Sequence, residues 1–548
     1  MSIDSYYQNQ DTVVVLIGHP GCSFKKSRAR TAGVVETSMS CGKEIKAAFI
    51  GGSLLFLAFA VLSGTACAQI AHNDEFVQHD GARLTLGGET FRFSGPNIEW
   101  LGLVSYGVYD PAGTHYPSHF EVDDAMDTAK GMGARVIRSQ TMGDSVGCDL
   151  CIEPKSGEFN PEALAHVDYA VKAAHDRGLR LILTLIGDCT KCNNSGMGQF
   201  VEWAGARNMN DFFSDPKVID LFEKHIAALL NHKSTLTGIA LKDDPTILAW
   251  ENCNMCGLIS MMAQPGAGAA PVVKWVDTVG AYIKSIDKKH LYQDNSGLFL
   301  FDKSGSTLDV KTPDIITAEY YPHWEAVFNL GYKSSAQIFS QHAATITAKG
   351  KVYTAGEYGW DNTNWPTQDD LQTVLKNFES DPKISGELYW ALQAHNIDFG
   401  WQPIPDNIPN AAYDKVGESG QWWALYYGGL NTLISAKEDM AARAELLRSH
   451  AYRMAGMTVP AHDIPHAPVI TVTGFGALGW RGSAGAVKYS IERKDSDTAP
   501  WLVVCDKCAT DADAPWIDPK PAQGMFGAKY RVTAYNADGK PSAPSNER

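Results

Sequence analysis

Short apolar or β-branched runs alternate with helix-patterned stretches along most of this chain. That alternation constrains the fold more than any other feature, because parallel strands are joined only through crossover segments. Runs at 91–97, 134–139, 179–186, 246–250, 291–293, 315–319, 352–356 and 387–391 read as eight strands. The helices between them carry their own punctuation. Asn160-Pro161-Glu162 supplies a cap and a first-turn proline, and Gly178 stops that helix after Arg177. Ser214-Asp215-Pro216 starts another, and 271–286 and 367–378 behave likewise. The expected fold is α/β, a (β/α)8 TIM barrel over 69–455, with its chemistry at the residues just after each strand. Residues 69–90, turning at Gly87-Gly88, are expected to form a hairpin that closes the barrel floor.

The grammar changes after the barrel. Pro460, Pro465 and Pro468 mark 456–468 as a linker. Beyond it, 469–472, 487–493, 501–504 and 530–535 alternate as half-buried strands do, so 469–548 reads as a small all-β sandwich.

Composition narrows the partners. The 548 residues are 44% hydrophobic and 20% charged, which suits one large domain and a small one. A net charge of −15 gives nucleic acid no electrostatic footprint and favours a neutral substrate. Aromatic residues, at 10%, suit stacking on sugar rings, although most such rings are core.

Lys43 and Lys46 precede an apolar run at 47–62, and Ala66-Cys67-Ala68 has the small-x-small pattern of a signal-peptidase site. Residues 39–68 are therefore read as an export signal starting at Met39, and 1–38 as a doubtful extension. The run is short for a membrane span. The mature protein is expected to be secreted or periplasmic, monomeric and without a membrane span. Of 11 cysteines, Cys22, Cys41 and Cys67 precede the cut, and the other eight form Cys-x-x-Cys pairs: Cys148/Cys151, Cys189/Cys192, Cys253/Cys256 and Cys505/Cys508. In an exported protein these read as disulfides, with a shared zinc site as the alternative.

Several stretches carry a resemblance. Phe212-Phe213-Ser214-Asp215-Pro216, Leu229-Leu230-Asn231-His232, Thr237-Gly238-Ile239-Ala240 and Lys242-Asp243-Asp244-Pro245-Thr246-Ile247-Leu248-Ala249-Trp250-Glu251 resemble glycoside hydrolase family five, most closely its endo-β-1,4-mannanase branch. Ala281-Tyr282-Ile283-Lys284-Ser285-Ile286-Asp287 adds to it. The resemblance implies a retaining hydrolase of a β-linked glycan, mannanase- or cellulase-like, without a cofactor or metal. Such enzymes need two carboxylates, a nucleophile and an acid/base. Ala355-Gly356-Glu357-Tyr358-Gly359-Trp360 matches the nucleophile segment after strand seven, which assigns Glu357. It further implies that Arg138 holds the nucleophile ionised, Tyr321 donates to it, Trp390 floors the reacting subsite and Asn254 bonds a sugar hydroxyl. Tyr-Arg-Val-Thr-Ala-Tyr-Asn at 530–536, with Gly-Lys-Pro-Ser at 539–542, resembles the closing strands of a fibronectin type III module, usually a spacer.

Two departures complicate the match. The family pattern Trp-Glu-x-x-Asn-Glu ends in the acid/base, and here that place is Met255, which has no proton to give. The family's histidine before the strand-six tyrosine is replaced by Glu319, in Ala318-Glu319-Tyr320-Tyr321-Pro322. Three readings stay open: a relocated acid/base, Glu319 ahead of Glu251; a glycan-binding barrel with impaired catalysis; or a metal held by the Cys pairs.

Overall fold

The structure, a computed structural model, describes residues 73–104, 113–187, 196–258, 268–298, 306–322, 331, 333–360, 369–402, 424–432, 435–474, 476–521 and 528–548, besides five short N-terminal strands. It divides into two compact units, Met1–Ala66 and Cys67–Arg548. In the first, Tyr6–Asn9 pairs with Thr12–Val15, and Ser23–Lys26, Thr37–Ser40 and Glu44–Ala47 form a second sheet. Residues 48–72, and with them most of the expected export signal, lie outside the described residues.

The second unit holds an eight-stranded parallel sheet: β1 (Phe93–Pro96), β2 (Val136–Ser139), β3 (Arg180–Thr184), β4 (Ile247–Glu251), β5 (Leu291–Asp294), β6 (Ile315–Glu319), β7 (Val352–Tyr358) and β8 (Ile384–Tyr389). β8 pairs with β1, and a parallel bridge between Asn97 and Arg138 closes the ring. All eight strands of the expected (β/α)8 barrel are therefore present. Every residue of these strands is buried, as expected of a parallel sheet covered on both faces. Val77, Leu84 and Phe91 join Phe93, Val136 and other inward strand residues in one apolar cluster that plugs the amino-terminal end. Phe93 fills the interior so closely that a Cβ on Gly386 would sit 2.1 Å from its ring, so that position needs glycine. The chemistry is left to the other end.

Helices follow all but one of the strands from β1 to β8: α1 (His119–Gly131), α2 (Pro161–Arg177), α3 (Met197–Trp203), α4 (Pro216–Asn231), α5 (Ala270–Ile286), α6 (Ser335–Thr347), α7 (Leu371–Ser380) and α8 (Lys437–Met454). After β5 the described residues hold only a 3-10 turn at Thr307–Asp309. α2 begins and ends as its sequence implies: the Asn160 side chain accepts from the Glu162 amide, and Gly178 adopts φ 72°. α1, α3, α6 and α8 were not apparent in the sequence, and for α1 and α8 the reason lies in their polar buried positions. Their buried faces include Glu121, Asp124 and Thr128 in α1, and Arg443, Arg448 and His450 in α8, which break the apolar period.

Two three-stranded antiparallel sheets form the C-terminal part: β9 (Val469–Gly474), β10 (Ala477–Arg481) and β13 (Trp516–Ile517) in one, and β11 (Lys488–Lys494), β12 (Leu502–Ala509) and β14 (Lys529–Tyr535) in the other. Trp480, Tyr489, Ile491 and Val532 lie in their common core. The stretch before β9 has no regular structure, yet it is pinned to α8. Arg448 donates to the Pro460 carbonyl at 2.7 Å, and the His462 ring lies between Glu445 and Asp538, 3.0 Å from each. Among the described residues, no helix is long and apolar enough to cross a membrane.

Candidate active site

The strands end in polar side chains that converge on one guanidinium. Arg138, on β2 and without solvent exposure, donates through Nε to both oxygens of Glu251 at 2.9 and 3.0 Å and through Nη2 to Oε1 at 2.6 Å. Nη1 reaches Glu357 Oε1 at 2.6 Å and Asn97 Oδ1 at 3.0 Å. Nη2 also donates to Asn254 Oδ1 at 2.6 Å and lies 3.7 Å from Glu319 Oε1. Burial alone would lower the arginine's pKa; Glu251, Glu357 and Glu319 override that and raise it, so its charge is permanent.

The three carboxylates differ in what surrounds them. Glu251, at the end of β4, is 0% exposed and also accepts from Thr184 Oγ1 at 2.7 Å and Gln293 Nε2 at 2.5 Å. Both of its oxygens are held by protein donors. Glu357, on β7, accepts from Tyr321 Oη at 2.9 Å besides Arg138. Glu319, at the end of β6, is the register partner of Glu357 and, among the described residues, accepts from Asn295 Nδ2 at 2.8 Å. Burial raises the pKa of both carboxyls, against the pull of Arg138. Glu319 is raised well above the usual range, because the neighbouring charge of Glu357 adds to burial and its own donors are fewer. The Tyr321 hydroxyl is also pushed well up, by burial and then by Glu357 and Glu319, and stays a donor.

The sequence-predicted residues Arg138, Asn254, Tyr321, Glu251 and Glu357 thus meet in one hydrogen-bonded cluster, which Glu319 joins through its ion pair with Arg138. Trp390, directly after β8, is half-buried, and its amide donates to the carbonyl of Tyr358, the residue after Glu357, at 2.9 Å. The Trp390–Ala391 peptide is cis. Sequence reading missed Asn97, Thr184, Gln293 and Asn295. Asn295 follows β5 directly, so the strand-end rule that selected the others would have found it.

Met255 lies 3% exposed in the left-handed region at φ 47°, with its sulfur packed against Gly297. A disulfide between Cys253 and Cys256 encloses it. Asn252 ties this loop to the end of β5: its Oδ1 accepts from the amides of Cys253 and Asn295, and its Nδ2 donates to Asp294. Cys148–Cys151 and Cys505–Cys508 are also disulfides, so these sulfurs are not thiolate ligands. Cys189 and Cys192 lie outside the described residues.

Fold and site together define a (β/α)8 barrel with a carboxylate cluster around a buried arginine at its carboxyl-terminal rim. Residues 74–298 match the family described as GH family 5 beta-mannosidase-like. Mannan endo-1,4-beta-mannosidase 2 of Oryza sativa subsp. japonica is 32% identical over 271 residues, 48% of this chain and 55% of that protein. Mannan endo-1,4-beta-mannosidase 1 of the same organism is 30% identical over 223 residues, 40% and 48% respectively. The chain spans about half the length of these curated relatives. Among solved structures, the endo-1,4-beta-mannanase from Rhizomucor miehei is similar with a TM-score of 0.54 and 22% identity, over 70% of this chain and 100% of that one. The endo-beta-1,4-mannanase from Thermotoga petrophila gives 0.51 and 19%, over 84% and 98%. The structural likenesses bear on the fold alone, and they agree with the barrel described above.

Proposed function

We propose that the chain is a retaining glycoside hydrolase of β-linked glycans of the mannan type, with Glu357 as nucleophile and Glu319 as acid/base. The observation that carries this reading is the unequal pair on β6 and β7. Glu357 has the guanidinium at 2.6 Å and the tyrosine hydroxyl at 2.9 Å to hold a negative charge. Glu319 has one amide donor and a guanidinium at 3.7 Å, so a proton shared between neighbours belongs on Glu319. Glu357 attacks the anomeric carbon while Glu319 delivers its proton to the leaving oxygen. Glu319 then takes a proton from the water that releases the sugar from Glu357. Glu251, with both oxygens saturated by donors, is read as the anchor of Arg138 rather than as the acid. The names of the curated relatives, mannan endo-1,4-beta-mannosidases, support the mannan class.

The second reading, a glycan-binding barrel with impaired catalysis, is favoured by Met255 standing where the family carries its acid. The two separate on one experiment: purified protein incubated with mannans, glucans and activated aryl β-glycosides, beside Glu357→Ala. Polysaccharide turnover that disappears in the variant supports the hydrolase. Aryl glycoside turnover alone leaves a nucleophile without an acid, and no turnover with retained glycan binding makes it a binding protein.

The same reading takes 39–68 as an export signal, the mature protein as a secreted or periplasmic monomer, and the C-terminal sandwich as fibronectin type III-like. Disulfides, which persist in oxidising compartments, support export.

A further inference from the structure

The backbone after β8 is gripped from two sides. Leu392 donates its amide to the Asn97 carbonyl at 3.0 Å, and Asn97 Oδ1 is itself bonded to Arg138. Three residues on, His395 is 1% exposed and stacks on Trp401 with ring centroids 4.0 Å apart. On one side, Asp124 of α1 accepts from the His395 amide at 2.9 Å and lies 2.9 Å from Nδ1. On the other, Asp511, between β12 and β13 of the C-terminal sandwich, lies 3.1 Å from Nε2 and is braced by the Tyr489 hydroxyl at 2.9 Å. The fit leaves no slack: a Cβ on Gly482 would come within 2.2 Å of the imidazole. A second contact reaches the same segment, from Arg481 Nε to the Ile397 carbonyl at 2.8 Å.

A spacer domain has no reason to bury a carboxylate against a catalytic domain's charged side chain. Removing charges from water is costly unless each finds close partners. Here the group is built from three places in the chain and sits five residues beyond Trp390, whose amide is bonded to the residue after Glu357. We propose that Asp511 of the C-terminal sandwich is a positioning residue for the active site: with Asp124 it clamps His395 and so fixes the segment that carries Trp390 beside Glu357. The catalytic consequence rests on the hydrolase reading above; the clamp itself does not. The sandwich is then an integral part of the catalytic unit.

Two measurements on the full chain test this. Hydrogen exchange in wild type and Asp511→Asn reads the clamp without any turnover. Amides of 390–402 are expected to exchange at least about ten-fold faster in the variant, with β3 and β4 unchanged; equal exchange overturns the proposal. Kinetics on mannohexaose read the coupling. Asp511→Asn is expected to lower kcat/KM about ten-fold, and in a Trp390→Ala background the same substitution is expected to change it less than about two-fold, because both act through one segment. Additive losses would mean a merely structural role and overturn the positioning claim. Should Asp511→Asn not fold, Arg481→Ala loosens the same segment from its surface side, with the same expectation and the same overturning result in both measurements. A wild-type chain that turns over no glycan ends the hydrolase reading, while exchange still decides the clamp.

Discussion

Arg138 and His395 are both buried cations ringed by carboxylates, yet Arg138 faces Glu251, Glu357 and Glu319 from strands of one sheet, whereas His395 faces Asp124 and Asp511 from a helix and from another domain. Negative charge exceeds positive at both places. Around Arg138, burial and the neighbouring charge of Glu357 raise the pKa of Glu319 well above the usual range, and on the hydrolase reading proposed above that is where a general acid would keep its proton. Around His395 the excess keeps the imidazole itself charged. Burial alone would lower its pKa; Asp124 and Asp511 push it up to about 10. The lesson is that similar charge sets serve different ends according to which member can give up a proton.

The contrast can be broken most sharply at Glu319. Glu319→Gln is expected to lower hydrolysis of polysaccharide by about 10²–10⁴-fold, with a smaller loss on aryl glycosides whose leaving groups need no proton. It should also raise Tm at pH 8. A carboxyl whose folded pKa lies above its unfolded value binds more protons in the native state, so its presence weakens the fold as pH rises past about 4.5. Retained polysaccharide turnover together with a lower Tm would make Glu319 a structural carboxylate. Next in size is Glu251→Gln, which leaves Arg138 short of its principal partner. A loss of about 3–5 kcal/mol in urea unfolding is expected; unchanged stability with a lost acid function would hand the proton to Glu251. The smallest effect concerns His395. Its raised pKa contributes stability that is complete below about pH 6.5 and fades as pH rises through about 10. Wild type should therefore lose a few degrees of Tm between pH 7 and 10 that His395→Gln, less stable throughout, does not lose. Parallel curves would show that the imidazole is not charged.

Legibility in the sequence follows the same division. Glu357, Arg138, Glu251, Glu319 and Trp390 sit at or beside strand ends, where an apolar run announces the strand and the following residue announces the rim. Asn295, directly after β5, obeys the same rule. Asp124 and Asp511 obey none: Asp124 lies on the buried face of a helix whose period its own charge obscures, 271 residues from His395, and Asp511 lies in a turn of a domain that reads as independent. The linker prolines mark a change of composition, and nothing local in 456–468 discloses that Pro460 and His462 are fastened to α8. Contacts between distant segments leave no periodicity to read.

The placement of Asp511 also bears on the order of assembly. Synthesis yields Asp124 first, then every carboxylate of the rim, then His395, and Asp511 only 116 residues later. Of the two carboxylates beside His395, only Asp124 precedes it in the chain. The barrel strands and the cluster around Arg138 all precede the sandwich in the chain, but on the clamp proposed above the segment beside Glu357 is held only once the sandwich closes over it. On the clamp proposed above the site is complete only once the sandwich has folded, and a product cut short before the sandwich would carry Glu251, Glu319 and Glu357 and still lack the contact that steadies the segment beside them.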